Sequence, residues 1–200
     1  YFTNMSVERE KNRSTKDYIN EASSLFWEPS LVISNNRNIY NKKITLYIGN
    51  SVNAGHYESL QYHNITSILN ISTEIQNYYP DYFRYHKVNV TDRNGSELSS
   101  HFDEILDFVG EEVKNNRTTF LIHCYAGMSR SATITLLLLI KLFEIQLPDA
   151  KNLLTKRREI VNINRDFIKQ LENYIDPSIN IDTLQEEEKT HEQTKEQTEE

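Results

Sequence analysis

The stretch FLIHCYAGMSRSATITLLLLIK, residues 120–141, limits the fold more than any other part of the chain. Phe120 to His123 gives four successive positions without polar alternation, which predicts a strand over 118–123 that is buried on both faces. From about Ser131 to Glu144 the pattern is helical and nearly all apolar, so that helix needs cover on almost every side. A strand and a helix that both demand burial, joined by a short polar loop, require a sheet with helices packed against it. The only cysteine of the chain, Cys124, stands where the strand ends.

The rest of the sequence supplies that cover. ITLYIG (44–49) and ITSILNIS (65–72) are β-branched apolar runs separated by NAGHYESLQYH, which has room for a short helix. FRYHKVNV (83–90) alternates as a strand, and Phe102, Ile105, Leu106, Val109 and Val113 follow at helical spacing, with Ser99 or Ser100 expected as the cap. A break at Pro148, a helix near 149–157 and a last helix over 164–174 complete the pattern. Strand, helix, strand is the order of a parallel sheet. The expected fold is therefore α/β, a single domain with a central, mostly parallel twisted sheet flanked by helices.

Three segments follow from composition: a polar N-terminal extension over 1–28, a folded domain over 29–178 and an acidic disordered tail over 179–200. The extension carries a short helical candidate, Thr15 to Trp27. The tail repeats Glu, Gln, Thr and Lys and holds too little apolar surface to offset the entropy of ordering. It also locates the formal charge of −7. Residues 180–200 hold eight acidic residues against Lys189 and Lys195, leaving the remaining 179 residues close to neutral. That balance argues against a nucleic-acid-binding surface. The longest uninterrupted apolar stretch, Leu136 to Ile140, is far short of the roughly 20 residues that cross a bilayer, so no membrane span is expected. One cysteine allows no internal disulfide, which points to a reducing compartment, the cytoplasm first and the nucleus second.

In an open α/β sheet, ligands bind beyond the carboxyl ends of the strands, where Cys124 is expected. The backbone amides of Tyr125, Ala126, Gly127, Met128 and Ser129, with the helix N-terminus at Arg130, form a cup for a phosphate-sized anion. Gly127 supplies the dihedral angles of a tight loop. The same positive field favours thiolate over thiol. Arg130 can offer its planar fork to two phosphoryl oxygens, a geometry lysine does not reproduce, and Ser131 can donate a hydrogen bond to the sulfur as it leaves. The competing reading is that Cys124 is an inert buried thiol.

HCYAGMSRS resembles His-Cys-x-x-Gly-x-x-Arg-Ser/Thr, the signature loop of the protein tyrosine phosphatase superfamily, and AGMSRSAT resembles its dual-specificity branch. The likeness extends through LYIGN, ITSILNIS, DYFRYHKVNVTD, LSSHF and NRDFIKQLENY, about residues 44 to 175. The resemblance implies a nucleophilic cysteine, Cys124, a phosphate-binding arginine, Arg130, and a general acid on the loop after a strand. Asp92, 32 residues before the cysteine, matches that acid. Asp81 lies before the strand and Asp103 inside the helix, and both are placed less well. It further implies that His123 orients the loop and tunes the thiol and that Asn70 braces the signature loop. Cofactor and metal are not expected, since six scattered histidines have no partner cysteine pair.

The implied function is hydrolysis of phosphotyrosine and phosphoserine/phosphothreonine in a phosphoprotein, with a protein kinase among the candidate partners. Two alternatives stand beside it. One is a catalytically silent phosphoprotein-binding module, against which an intact Cys124 counts. The other is a phosphatase for phosphoinositides or RNA 5′ ends, which would favour basic residues inside a loop that here carries Tyr125, Ala126, Met128 and Ser129. Departures from the family pattern, the leucine run 136–139 and the absence of prolines in REIVNIN, weaken assignment to the MAP kinase phosphatase subgroup.

Overall fold

The computed structural model describes residues 27–177. The expected helix from Thr15 lies outside the described residues except for Trp27, and so does the acidic tail. In chain order the elements are β1 (Ser30–Asn35), β2 (Ile44–Gly49), the short helices α1 (Ser51–Gly55) and α2 (Tyr57–Tyr62), β3 (Ser67–Ile71), β4 (Arg84–Val88), a 3₁₀ turn (Ser99–His101), α3 (Phe102–Lys114), β5 (Thr119–His123), α4 (Arg130–Phe143), α5 (Leu147–Arg157) and α6 (Arg165–Ile175).

The strands form one sheet in the order β1-β2-β5-β3-β4. Every pair is parallel except β1 with β2, so the mostly parallel α/β fold stands. β5 is central, and its side chains from Phe120 to His123 are all buried. Parallel strands need crossovers, and these fill both faces of the sheet. On one face Val109, Phe120, Leu136, Leu154 and Phe167 join α3 to α6 in the main core. On the other, Ala54 and Leu60 of α1 and α2 meet Ile68 and Leu121, with a rim of tyrosines outside them.

α4 realises the burial that its sequence demands. Of its fourteen residues only Ile140 and Lys141 are not buried, because α3, α5 and α6 cover the sides left open by the sheet. Cutting Leu136 back to alanine in such a position costs about 2–5 kcal/mol. The helix ends on Glu144 in the left-handed region, φ 56°, and its N–H returns to the Ile140 carbonyl. Among the described residues no helix is long and apolar enough to cross a membrane.

Two details differ from the sequence reading. β1 was not anticipated: it is an antiparallel edge strand, bulged between Leu31 and Ile33, with only Val32 fully buried. Its alternation is too short and too exposed to stand out from a polar flank. Neither Ser99 nor Ser100 caps α3. They form the preceding 3₁₀ turn, whose backbone amides donate instead to Glu97 Oε1 and Gln170 Oε1. The segment before β1 packs on α1 and α2 at its end: Trp27 stacks on His56, and the Glu28 carboxylate accepts from Ser59 Oγ and contacts His63.

Candidate active site

β5 delivers Cys124 to the carboxyl edge of the sheet, and the chain then turns through 125–129 into α4. The turn is possible because Gly127 takes φ +70°, where a Cβ atom would come within 2.6 Å of the Gly49 carbonyl oxygen and 2.7 Å of the Arg158 guanidinium. Three donors from outside hold the loop's carbonyls. Arg158 Nε donates to Gly127 O (2.9 Å), Ser51 N to Tyr125 O (3.1 Å) and Asn162 N to Met128 O (3.1 Å). With its carbonyls turned outward, the loop aims amides inward: Gly127 N–H points at Cys124 Sγ from 3.3 Å. Ser129, at the N-cap of α4, makes no side-chain bond to the helix, so first-turn amides stay available to an anion.

The thiol is 1% exposed, and Ser131 Oγ stands 3.2 Å from its sulfur. Arg130 is likewise buried. Its Nη1 donates to Glu74 Oε2 (2.7 Å) and to the Val90 carbonyl (2.9 Å), while Nε is buried without a hydrogen-bond partner. The nearest carboxylate to that nitrogen is Asp92, whose Oδ2 lies 3.6 Å away. Burial alone would push the Arg130 guanidinium down, but the hydrogen bond it donates to Glu74 and the negative charge of Cys124, Glu74 and Asp92 hold it above its ordinary value. Glu74 in turn sits below the usual carboxylate range because of Arg130.

Asp92 hangs over the cup from the loop after β4. Ser129 Oγ donates to its Oδ1 (2.8 Å), and its side chain is 31% exposed. The loop that carries it is tied to α6, with Gly95 N donating to Asp166 Oδ2 and Leu98 N to Gln170 Oε1, both at 2.8 Å. His123 lies beneath the thiol, fully buried, and neither ring nitrogen has a partner of hydrogen-bond geometry. Burial pushes its pKa down to about 4; the adjacent Cys124 backbone opposes the shift and the Lys87 charge adds to it. His123 is therefore neutral at physiological pH.

Cys124, Ser131, Arg130 and Asp92 thus converge with the backbone of Tyr125 to Ser129, while the Asn70 side chain reaches another loop. It donates to Ile75 O and Asn77 Oδ1 and accepts from Ser72 Oγ, bracing the loop over 72–77 and not the signature loop. That loop is the one that delivers Glu74 to Arg130. Lys87 Nζ secures it further, donating to the carbonyls of Ser72 and Ile75. Glu74 and Arg158 are the two site residues that the sequence reading missed. Both act across long sequence distances on groups that the motif did identify. Among the described residues no group of three or more His, Cys, Asp or Glu side chains is placed to hold a metal ion.

Known proteins similar to this chain carry phosphatase activity in their names. The model of the dual specificity phosphatase catalytic domain matches residues 46–176. Human protein phosphatase Slingshot homolog 1 is 36% identical over 129 residues, which are 64% of this chain and 12% of that protein. Dual specificity protein phosphatase 1-A of Xenopus laevis is 35% identical over 126 residues, 63% of this chain and 34% of that protein. The chain spans only a minor share of the length of either relative. In fold it resembles the crystal structure of human tyrosine phosphatase-like serine/threonine/tyrosine-interacting protein, with a TM-score of 0.60 at 24% identity, covering 68% of this chain and 93% of that one. With the matched residues taking in the sheet apart from β1 and the start of β2, the cysteine loop and the helices packed on them, the chain belongs to the dual specificity phosphatase catalytic domain family, a family of phosphatase enzymes.

Proposed function

We propose that the protein hydrolyses phosphotyrosine and phosphoserine/phosphothreonine in phosphoproteins through a cysteinyl-phosphate intermediate. The observation that carries this reading is the pairing of a buried sulfur, faced by the Gly127 amide and Ser131 Oγ, with a buried Arg130 Nε that makes no hydrogen bond. Buried polar nitrogens are almost always satisfied, and an exception calls for a missing ligand. A phosphoryl oxygen supplies one.

In the first step Cys124 attacks phosphorus as the thiolate, the S–P bond forms and the P–O ester bond breaks. Asp92 gives its proton to the departing oxygen, a phenol from tyrosine or an alcohol from serine. Arg130 and the loop amides hold the equatorial oxygens, where charge spreads in the transition state. In the second step a water attacks the cysteinyl phosphate, Asp92 takes back a proton, and the sulfur leaves as thiolate with Ser131 Oγ donating to it. Nucleophile, acid and anion holder are all side chains of this chain, so the scheme calls on no metal.

The leaving-group dependence of Asp92→Asn tests the assignment of the acid. The variant should lose most rate with phosphoserine, a poor leaving group, and least with activated aryl phosphates that depart without a proton. Equal losses across the series would assign the acid to another residue. A Cys124→Ser protein that binds phosphopeptide but turns over none is the companion result, and significant turnover by that variant would overturn the reading.

A further inference from the structure

Ser129 stands at the N-cap of α4, yet its hydroxyl bonds to no amide of that helix. A serine at an N-cap ordinarily accepts from one of the first free amides, so another pull on this hydroxyl outweighs the cap. The residue is buried, and the partners of its Oγ both lie outside α4. The Asn164 N–H, at the N-cap of α6, is 3.2 Å from Oγ, and Asp92 Oδ1, on the loop after β4, is 2.8 Å from it. One hydroxyl joins the nucleophile loop, the start of α6 and the loop that carries the acid.

The chemistry of these groups fixes the direction of each bond. A backbone amide can only donate, so Oγ accepts from Asn164 and its single proton is left for the carboxylate. Oδ1 is therefore an acceptor whether Asp92 is ionised or protonated. When Asp92 carries a proton, that proton sits on Oδ2, the oxygen 3.6 Å from Arg130 Nε, on the side of the phosphate cup. The backbone of the acid loop has its own ties: Gly95 N donates to Asp166 Oδ2, Leu98 N to Gln170 Oε1, and Thr91 Oγ1 pairs with Ser96 Oγ. What Ser129 holds is the carboxyl group itself.

We infer that Ser129 is a positioning residue for the general acid: its hydroxyl, oriented by the Asn164 amide, keeps Oδ1 of Asp92 turned away from the substrate and the acidic proton on Oδ2, aimed at the departing ester oxygen. The inference rests on the phosphatase reading above, in which Asp92 is the acid, and adds to it the atom that donates and the side chain that aims it. In the first step the P–O ester bond breaks with its electron pair going to the ester oxygen, which takes the proton from Oδ2. The carboxylate left behind keeps its hydrogen bond from Ser129. In the second step the attacking water returns a proton to the same oxygen. A substrate whose leaving oxygen needs a proton depends on this aim, and an activated aryl phosphate depends on it far less.

A double-mutant cycle between Ser129 and Asp92 in the full chain tests the inference, read as kcat/KM across phosphoserine peptide, phosphotyrosine peptide and para-nitrophenyl phosphate. Ser129→Ala should lower kcat/KM about tenfold with phosphoserine and progressively less toward para-nitrophenyl phosphate. Ser129→Gly, which also deletes the hydroxyl, should show the same gradient. Competitive inhibition by inorganic phosphate and the unfolding midpoint should move little, because neither the cup amides nor a helix cap is lost. In the Asp92→Asn background Ser129→Ala should cost no further rate, since no acid is left to aim. Equal losses across the three substrates, or a full additional loss in the Asp92→Asn background, would overturn the positioning role. So would a parallel loss of phosphate affinity, which would assign the hydroxyl to phosphate binding. If Asp92→Asn itself slows all three substrates equally, the assignment of the acid fails first and the inference falls with it. If Asp92→Asn shows the gradient and the Ser129 variants do not, the inference alone fails and the phosphatase reading stands.

Discussion

The two edges of the parallel sheet each hold a buried acid-base cluster, and they are built to opposite specifications. At the amino edge, Glu112 is fully buried and its carboxylate is saturated. Arg117 donates to it from Nε and Nη2, Ser67 Oγ donates at 2.7 Å, and Arg84 stands 3.6 Å away. These contacts, with Ser67, Arg84 and Arg117 at or near the starts of β3, β4 and β5, hold the carboxyl below its usual range against the burial that would raise it. At the carboxyl edge Arg130 is as deeply placed, yet its Nε has no hydrogen-bond partner, only the Asp92 carboxylate at 3.6 Å, and its other carboxylate, Glu74, is 44% exposed. Saturation makes the first cluster a staple. Incompleteness makes the second a receptor, because a buried donor left unsatisfied costs about 1–3 kcal/mol until a ligand arrives.

The sharpest way to break this contrast is to make the same change at both edges. Arg130→Lys removes the planar fork from the phosphate cup and should lower kcat/KM by about 10²–10³-fold with little change in thermal stability. Arg117→Lys removes the two-pronged contact with Glu112 and should leave kcat/KM alone while lowering the unfolding midpoint by about 2–5 °C. Steady-state kinetics and thermal unfolding on both proteins decide the matter. A stability loss at 130 and a rate loss at 117 would reverse the two roles.

A second prediction concerns acid. His123 is buried on the receptor edge with a pKa of about 4 against an ordinary 6.5. Between those values the unfolded chain binds the proton and the folded one does not, so stability falls as pH drops through that window and is level above it. The whole effect is about 3 kcal/mol. His123→Gln should therefore remove most of that acid sensitivity, about 2 kcal/mol, measured as the difference between wild-type and variant in denaturant unfolding at pH 7 and pH 4.5. An identical pH slope in the two proteins would contradict the neutral, unpartnered histidine.

The smallest expected effect separates Glu74 from the staple. It positions Arg130 from a half-exposed loop, so Glu74→Ala should lower kcat/KM by about tenfold without moving the unfolding midpoint. Glu74→Gln, which can still accept from Arg130 Nη1, should recover part of the loss. Unchanged kinetics in Glu74→Ala would leave Arg130 to be oriented by the Val90 carbonyl alone.

These two residues of the receptor edge also mark how far the sequence can be read. Cys124, Arg130 and Ser131 are legible together because one loop and one helix start carry all three, and Asp92 because a strand end and a helix start bracket it. Burial of β5 and α4 is legible because apolar runs without polar alternation have no other home. Glu74 is not, since nothing local in STEIQN says that Asn70 and Lys87 will fold that loop across the sheet edge to Arg130. The start of α3 fails for the same reason: Gln170, 71 residues from Ser99, does the work expected of a neighbouring serine. β1 escapes notice because an edge strand with one buried residue carries almost no pattern.

The central claim is that Cys124 takes the phosphoryl group onto its sulfur. Rapid acid quench of the full chain during turnover of a phosphotyrosine peptide, followed by mass analysis of its fragments, tests it directly. The account predicts one phosphoryl group on the fragment containing Cys124, formed before phosphate is released and absent from Cys124→Ser. Release of phosphate with no such adduct, or an adduct on another residue, would contradict it.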